Sequence, residues 1–301
     1  MPIEHLVFSG GGPTALMYMG TLQQLEIDGV WNSANIKSIY GTSAGGMLGV
    51  ILCCKYDWST LTDYFVKRPW SDAFQIKPED IFNMYHKKGI VNQGFINIMF
   101  KPLFDAKNIP MNITMKEFYE LSGIELHMFS LELNSFELCD ISYKTYPNLS
   151  VLTAVYMTSA IPIMFSPVCM DGKCYVDGGI VLNYPLDYCI KDHPAVDDIL
   201  SFKNVYITDW YSSYIDENST MTDFITAICK QLVKRVEKSN LSIQIPNQIS
   251  HRCDFLNSDY FQKSLESELF RQELLEVGIK TAKEFMTTKE KEFTQKPVKT
   301  E

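Results

Sequence analysis

The sequence predicts an α/β fold with parallel strand pairing, and two stretches near its start carry that prediction. A short apolar run, HLVFS (5–9), leads through three glycines into ALMYMGTLQQLEIDG (15–29), whose apolar residues recur at helical spacing. The order then repeats, because IKSIYG (36–41) leads into a glycine turn and SAGGMLGVILCCK (43–55). A repeated strand, glycine turn and helix is typical of parallel strands joined by helices.

Composition allows a large core and excludes several classes of protein. The chain has 301 residues, of which 46% are hydrophobic, and a formal net charge of −9. This charge argues against nucleic acid as the main partner. The start of the chain lacks the basic and apolar regions of a signal peptide. The longest apolar run is about half the roughly 20 residues that a membrane span needs, so we expect a cytoplasmic protein.

Eight cysteines occur without C-x-x-C pairs or nearby histidines at ligand spacing. In a chain of this length the pattern favours buried reduced thiols over a disulfide framework, and it predicts no metal site.

The remaining elements are predicted in chain order. Residues 56–125 are irregular and aromatic, and we expect helices and loops that form a cap over the sheet edge. Further strands are predicted at 124–135, 136–143, 173–179 and 205–210, and helices at 150–165, 222–239 and 269–286. Residues 1–286 are predicted to be a single domain, and the polar tail, residues 287–301, to be disordered.

The first candidate for chemistry is Ser43, in the sequence GTSAG (41–45). Gly41 and Gly45 are small residues that permit a strained backbone at Ser43, between a predicted strand and a predicted helix. Such a turn presents the serine side chain at a helix N-terminus, where negative charge is favoured. The alternative is an ordinary glycine-rich turn.

The second candidate is SGGGPTAL (9–16), another turn from strand to helix. The N–H groups of Gly10, Gly11 and Gly12 could converge on one oxygen, as an oxyanion hole requires. Gly10, Gly12 and Ala15 also fit the dinucleotide-binding fingerprint G-x-G-x-x-A. A dinucleotide site needs an acidic residue at the end of the next strand, and IKSIYG does not end in one. A P-loop is excluded because neither glycine cluster is followed by Gly-Lys-Ser/Thr.

The third candidate is Asp177 in YVDGG (175–179), where an aspartate ends a predicted strand and two glycines follow. Its position suits a cleft beside other strand ends, although Asp-Gly is also common in plain turns. Asp171-Gly172, six residues earlier, is better explained as the hairpin turn that leads into this strand.

Taken together, SGGGPTA, GTSAG and VDGG resemble the patatin-like phospholipase family, which has these motifs in this order. The similarity extends to SAIPIMFSPV, before the aspartate motif, and more weakly to ELLEVGIKTAKEFM near the C-terminus. It spans roughly residues 5–190.

The resemblance implies a three-layer α/β/α fold and a serine–aspartate dyad without histidine. By position, Ser43 matches the nucleophile, Asp177 the base, and Gly10, Gly11 and Gly12 the oxyanion loop. The implied substrates are phospholipids or related acyl lipids, with no metal or organic cofactor. One departure is that Thr14 and Ala15 stand where the family commonly has Arg or Lys followed by Gly.

Two other hypotheses remain open at this stage. Thr14 and Ala15 suit a catalytically weak lipid-binding or interaction protein that keeps the fold. His193 and His251, which follow Asp177, would serve a histidine-dependent esterase of small esters.

Lipid substrates imply transient peripheral contact with a membrane, for which GFINIMFKPLF (94–104) and the predicted helix 222–239 are candidates. Whether an activating protein partner takes part is left open.

Overall fold

A computed structural model describes residues 2–73, 78–206, 215–221, 223–225, 227, 228, 231, 243–253 and 258–295. Within these residues eight strands form one sheet and two form a small second sheet. The strands are β1 His5–Phe8, β2 Ser38–Thr42, β3 Gly89–Val91, β4 Glu125–Glu132, β5 Glu137–Ile141, β6 Ile163–Phe165, β7 Val168–Met170, β8 Lys173–Asp177, β9 Ile199–Tyr206 and β10 Gln248–Cys253.

The helices are α1 Ala15–Ile27, α2 Ala44–Cys53, α3 Trp58–Thr62, α4 Trp70–Ala73, α5 Pro78–Lys87, α6 Gly94–Ala106, α7 Met115–Ser122, α8 Val151–Ser159, α9 Leu186–Asp192, α10 Ser258–Glu266 and α11 Glu268–Gln295. The order β1, α1, β2, α2 at the start of the chain is as predicted, whereas β4–β5 and β6–β7–β8 follow one another without an α-helix between them. Short turns of 3-10 helix lie at Gly12–Thr14 and Gly178–Ile180, next to the predicted site motifs.

The main sheet has the order β10-β9-β1-β2-β4-β8-β7, with β5 also paired to β4. The five strands from β10 to β4 are parallel, and the pairings of β5 with β4, β8 with β4 and β7 with β8 are antiparallel. Alternate side chains of β1 enter different cores, because Leu6 and Phe8 join the larger one and Val7 the smaller one. Helices α1, α2, α8 and α11 cover one face and α9 the other, so the predicted three-layer α/β/α fold is confirmed.

The long helix α11 packs closely against α1, and glycines make the close approach possible. A Cβ atom on Gly20 would lie 2.1 Å from the carbonyl oxygen of Leu275, and one on Gly278 would lie 2.0 Å from that of Met17. The prediction of disorder from Thr287 onward is wrong as far as Gln295, because α11 continues to that residue. Lysine and glutamate favour helix, and Lys289 anchors the extension by contacting Asn247.

Several predicted boundaries also differ from the structure. Helix α8 ends at Ser159, and residues 163–165 leave it to pair with β3 as strand β6. Strand β9 begins at Ile199, earlier than the predicted 205–210, of which 207–210 lie outside the described residues. Most of the predicted helix 222–239 also lies outside them.

The segment predicted as a cap, residues 56–125, contains α3 to α7 and β3. Its most apolar stretch, GFINIMFKPLF, forms α6, in which Ile96, Phe100 and Phe104 are fully buried. This stretch therefore packs into the core. That the segment acts as a cap, and that residues 1–286 form one domain, stay predictions.

Two cysteines differ from the expected reduced state, because Cys169 and Cys174 form a disulfide across the β7–β8 hairpin. They face each other as direct partners in that hairpin, whose turn is the predicted Asp171-Gly172. The buried thiols of Cys53, Cys54 and Cys189 are free, as predicted. Within the described parts of the chain, no helix is long and apolar enough to cross a membrane.

Candidate active site

Ser43 lies in the turn between β2 and α2, with a backbone conformation that few residues other than glycine adopt. Its φ is 55° and its ψ is −126°. A serine held in this way is strained by about 1–3 kcal/mol, and the strain must be offset by the surrounding structure. The side chain lies at the N-terminus of α2, where the helix dipole favours a negative charge.

Gly41 and Gly45 let the turn close. A Cβ atom on Gly41 would lie 2.5 Å from the backbone of Gly45, and one on Gly45 would lie 2.6 Å from the carbonyl oxygen of Phe8. Any larger residue would push α2 away from the ends of β1 and β2. The two glycines are therefore needed for the packing that holds Ser43 in place.

Asp177 ends β8, and the order of the strands brings it to Ser43. On the strand between them, β4, Phe129 pairs with Thr42, the residue before Ser43, and Ser130 pairs with Asp177. Asp177 is 3% exposed, its Oδ1 accepts the N–H of Gly179 at 2.7 Å, and the Ser43 side chain lies near enough to lower the pKa of its carboxyl group. The structure thus brings the two predicted residues together.

Burial dominates the charge state of Asp177. Desolvation raises its pKa to about 7, from an ordinary value of 3.8, against the lowering effect of the hydrogen bonds from Ser43 and Gly179. A carboxylate with a pKa near neutrality is a far better proton acceptor than an exposed one.

The predicted oxyanion loop passes beside Ser43. A Cβ atom on Gly10 would lie 2.9 Å from the Cβ of Ser43. The N–H of Gly10 already donates to the carbonyl of Asn183 at 3.1 Å, which removes it as an oxyanion donor. Among the hydrogen bonds of the described residues, none uses the N–H of Gly11 or Gly12, so these two remain as candidate donors.

Two asparagines that the sequence analysis missed hold this loop. The Nδ2 of Asn183 and the Nδ2 of Asn204 both donate to the carbonyl of Gly10. Asn204 is 4% exposed, and its own N–H donates to the Ser9 hydroxyl at 3.2 Å. The local sequence does not distinguish Asn204, because β9 also contains the polar residues Ser201 and Lys203.

The departure at Thr14 and Ala15 places uncharged side chains at these two positions. Thr14 is fully buried, and its hydroxyl has no hydrogen-bond partner within the described residues. Ala15 lines the pocket next to Ser43.

An apolar pocket of about 160 Å³ opens beside Ser43. The segment predicted as a cap supplies Phe65, Trp70, Phe95 and Met99 to its wall, and α1 supplies Leu16 and Met19.

The charged side chain of Arg271 also lines this pocket. The guanidinium is 3% exposed and donates to the carbonyls of Val66, Arg68, Ser264 and Leu265, so it joins the cap segment to the end of α10.

The two candidate catalytic histidines have other contacts. His193 stacks on His5 with ring centroids 3.6 Å apart and lies 3.4 Å from the hydroxyl of Ser38. Ser38 begins β2 and Ser43 follows its end, so the two serines are roughly 16 Å apart. His251 is buried against α1, where its Nε2 lies 2.8 Å from the Thr21 hydroxyl.

A group of side chains with the spacing of metal ligands lies near the start of β1 and β2, at the opposite end of these strands from Ser43. Glu4, His5 and Asp198 bring one ligand atom each within 4.8 Å of one another. Glu4 is already paired with Lys37 at 2.5 Å, and no hydrogen bond or ion pair joins the three to Ser43 or Asp177 within the described residues.

Comparisons with known proteins identify the family of this chain. A family model described as patatin-like phospholipase matches residues 6–190, a range that includes the glycine loop, Ser43 and Asp177. The chain is 24% identical over 214 residues to "Probable lipid hydrolase 463L" of Invertebrate iridescent virus 6, covering 70% of this chain and 71% of that protein. It is also 24% identical over 295 residues to "Uncharacterized protein R571" of Acanthamoeba polyphaga mimivirus, covering 94% and 93% of the two chains.

Among solved structures, that of VipD from Legionella pneumophila has a similar fold. The TM-score is 0.54 at 18% identity, and the similarity covers 96% of this chain and 67% of VipD. The family model covers more than half of the chain and contains all three predicted motifs. The chain therefore belongs to the patatin-like phospholipase family.

Proposed function

We propose that this chain is a phospholipase A-type lipid acyl hydrolase, with Ser43 as nucleophile and Asp177 as base. Family membership supports a lipid acyl hydrolase in general. The proximity of the Ser43 side chain to the buried Asp177, whose pKa is raised, supports the dyad most directly.

In the proposed acylation step, the Ser43 Oγ attacks the carbonyl carbon of a lipid ester and its proton passes to Asp177. Because Oδ1 already accepts the N–H of Gly179, Oδ2 is the oxygen that we expect to take this proton. Asp177 then gives the proton to the departing alcohol oxygen as the ester C–O bond breaks. The products are an acyl-Ser43 enzyme and a lysolipid.

Negative charge develops on the carbonyl oxygen during this attack. The N–H groups of Gly11 and Gly12 are the donors we assign to it, assisted by the N-terminus of α2. Both kinds of donor belong to the main chain, so the proposed stabilisation does not need the cation that Thr14 and Ala15 lack.

Deacylation uses the same residues in reverse. Asp177 takes a proton from water as the water oxygen attacks the acyl carbon, and the bond to Ser43 Oγ breaks. The proton returns to Ser43 Oγ, and a fatty acid is released. This cycle involves no metal or organic cofactor.

The apolar pocket beside Ser43 supports an acyl lipid as substrate. Side chains such as Phe95 and Met99 would contact the hydrocarbon chain while its ester group lies at Ser43. Phospholipids are the proposed substrate class because of family membership.

The test is fatty-acid release from mixed phospholipid vesicles, followed by mass spectrometry, with wild type, Ser43→Ala and Asp177→Asn. We expect wild type to release fatty acid and both variants to lose at least about 10³-fold in rate. His193→Gln and His251→Gln are the matched controls, and each should keep most of the activity.

A serine-reactive phosphonate probe distinguishes the alternatives. Labelling of wild type at Ser43 with no release from vesicles would indicate an active serine with a different ester as substrate. No labelling and no release would favour the lipid-binding protein without catalysis. Loss of activity in either histidine variant would instead support the histidine-dependent esterase.

A further inference from the structure

Helix α5, Pro78–Lys87, exposes two aromatic side chains on one side. Phe82 is 83% exposed and Tyr85 is 88% exposed, the highest values among the large hydrophobic residues that the structure describes. Residues three apart lie on the same face of a helix, so the two rings project together. Singly exposed hydrophobic residues are common, but a paired aromatic face is a feature of interaction sites.

The charge at the C-terminal end of this face is positive. Lys87 is the last residue of the helix and Lys88 follows it, two and three positions after Tyr85, and both are exposed. The exposed acid Glu79 lies eight residues before Lys87, roughly 12 Å away along the helix axis. Asp80 is a second acid in the first turn, so α5 and Lys88 together carry no net charge, and the positive charge is confined to the end beside Tyr85.

The chain links this helix directly to the pocket beside Ser43. Strand β3 follows α5 after one residue and pairs with β6, so that Val91 is opposite Phe165, which lines the pocket. Helix α6 comes next, and its Phe95 and Met99 line the same pocket. The exposed aromatic face therefore belongs to the segment that forms one wall of the candidate active site.

We propose that α5 is the membrane-docking element of this protein, with Phe82 and Tyr85 inserted between lipid headgroups and Lys88 bound to anionic ones. Aromatic rings beside lysines are the combination that binds at the boundary of headgroups and acyl chains. Docking through α5 would bring the pocket wall to the lipid surface. This inference rests on the proposed function, which gives membrane docking its purpose. The binding test below does not depend on that function.

The test measures binding of Ser43→Ala protein to vesicles by flotation, so that no lipid is consumed. The vesicles are phosphatidylcholine with and without phosphatidylserine. Adding Phe82→Ala and Tyr85→Ala should weaken binding to both by at least about tenfold. Adding Lys88→Asn, which suits the positive φ of 61° at that position, should weaken binding by about fivefold only when phosphatidylserine is present.

The matched control is Ile27→Ala with Leu121→Ala. Ile27 is 70% exposed and lies at the end of α1 that is away from the pocket. Leu121 is 59% exposed and lies on α7. This variant should bind vesicles like the parent protein. Equal loss in the control and α5 variants, or full binding by the Phe82/Tyr85 variant, would overturn the proposal, as would binding only to a protein partner.

Activity separates this inference from the proposed function. In the protein with Ser43 intact, the Phe82/Tyr85 variant should lose vesicle hydrolysis by about tenfold and keep wild-type hydrolysis of a short-chain water-soluble ester. If wild type hydrolyses neither substrate, the proposed function fails, while the flotation result still decides the role of α5.

Discussion

The hydroxyl of Thr158 accepts a hydrogen bond of 2.9 Å from the main-chain N–H of Ser43 and donates one of 2.5 Å to the carbonyl of Phe129. Thr158 is fully buried near the end of α8. One side chain thus connects the strained turn of Ser43 to the strand β4, which lies between the two catalytic candidates. This link accounts for part of the stabilisation that the unusual φ of Ser43 requires.

Thr158→Val removes both hydrogen bonds while keeping the shape of the side chain. We expect kcat to fall by at least about tenfold, and the free energy of unfolding by about 1–3 kcal/mol, because buried backbone groups lose their partner. Thr158→Ser keeps the hydroxyl and should retain most of the activity. Vesicle hydrolysis and urea unfolding measure the two effects, and equal activity in the valine and serine variants would contradict the role assigned to Thr158.

Local motifs were sufficient to predict that Ser43 and Asp177 lie at strand ends, because the glycines beside each residue are its neighbours in sequence. The catalytic roles of both residues stay predictions. Thr158 and Arg271 were not predictable in this way. Thr158 reaches Ser43 across 115 positions, and Arg271 reaches Val66 across 205. Nothing local to either residue indicates its partner, since the contact exists only after α8 and α11 have packed against the sheet.

The difference between local patterns and contacts distant in sequence also explains the errors in the predicted fold. The alternation of strands and helices at the start of the chain follows from local periodicity and was predicted correctly. The β6 strand depends on pairing with β3, more than 70 positions earlier, so residues 163–165 were assigned to the preceding helix. The engagement of Gly10 by Asn183 is likewise a long-range contact, and it changes which glycines can serve as donors.

The raised pKa of Asp177 predicts how activity depends on pH. The proposed mechanism needs the carboxylate, so kcat/KM should rise about tenfold per pH unit below the pKa and level off above about 7. An exposed aspartate would give a level profile down to about pH 4. Initial rates on a soluble ester between pH 4.5 and 9 measure the profile without changing the charge of a lipid surface.

Asp177 should also make the folded protein less stable at alkaline pH. Its pKa is raised from 3.8 in the unfolded chain to about 7 when folded, so ionisation above pH 7 opposes folding. The cost is fully present above the folded-state pKa, decreases as pH falls through the window between the two values, and is absent below 3.8. Asp177→Asn should therefore be inactive yet more stable at pH 8, by up to about 4 kcal/mol.

Urea unfolding of wild type and Asp177→Asn at pH 8 and pH 5 measures this effect, and the gain should be smaller at pH 5. Asp187→Asn, on an exposed position of α9, is the matched control and should change stability little at either pH. A gain of the same size at both pH values would show that burial of the Asp177 charge is not its cause.

Asn204 should act as a positioning residue for the oxyanion loop. Its Nδ2 donates to the carbonyl of Gly10, and a Cβ atom on Gly11 would lie 2.0 Å from that same Nδ2, so the amide lies directly under the loop. Asn204→Asp keeps the size but puts an oxygen against the Gly10 carbonyl, which should displace Gly11 and Gly12. We expect kcat to fall by about 10²-fold with little change in KM, as when one oxyanion donor is lost.

The control is Asn247→Ala, since Asn247 also donates to a main-chain carbonyl, that of Asp197 at 2.9 Å, on an exposed part of the chain. That variant should keep its kcat. Steady-state kinetics on a soluble ester, together with the unfolding midpoint, distinguish positioning from general destabilisation. A folded Asn204→Asp protein with wild-type kcat would mean that Gly11 and Gly12 do not need this support, and the assignment of the oxyanion donors to them would lose its structural basis.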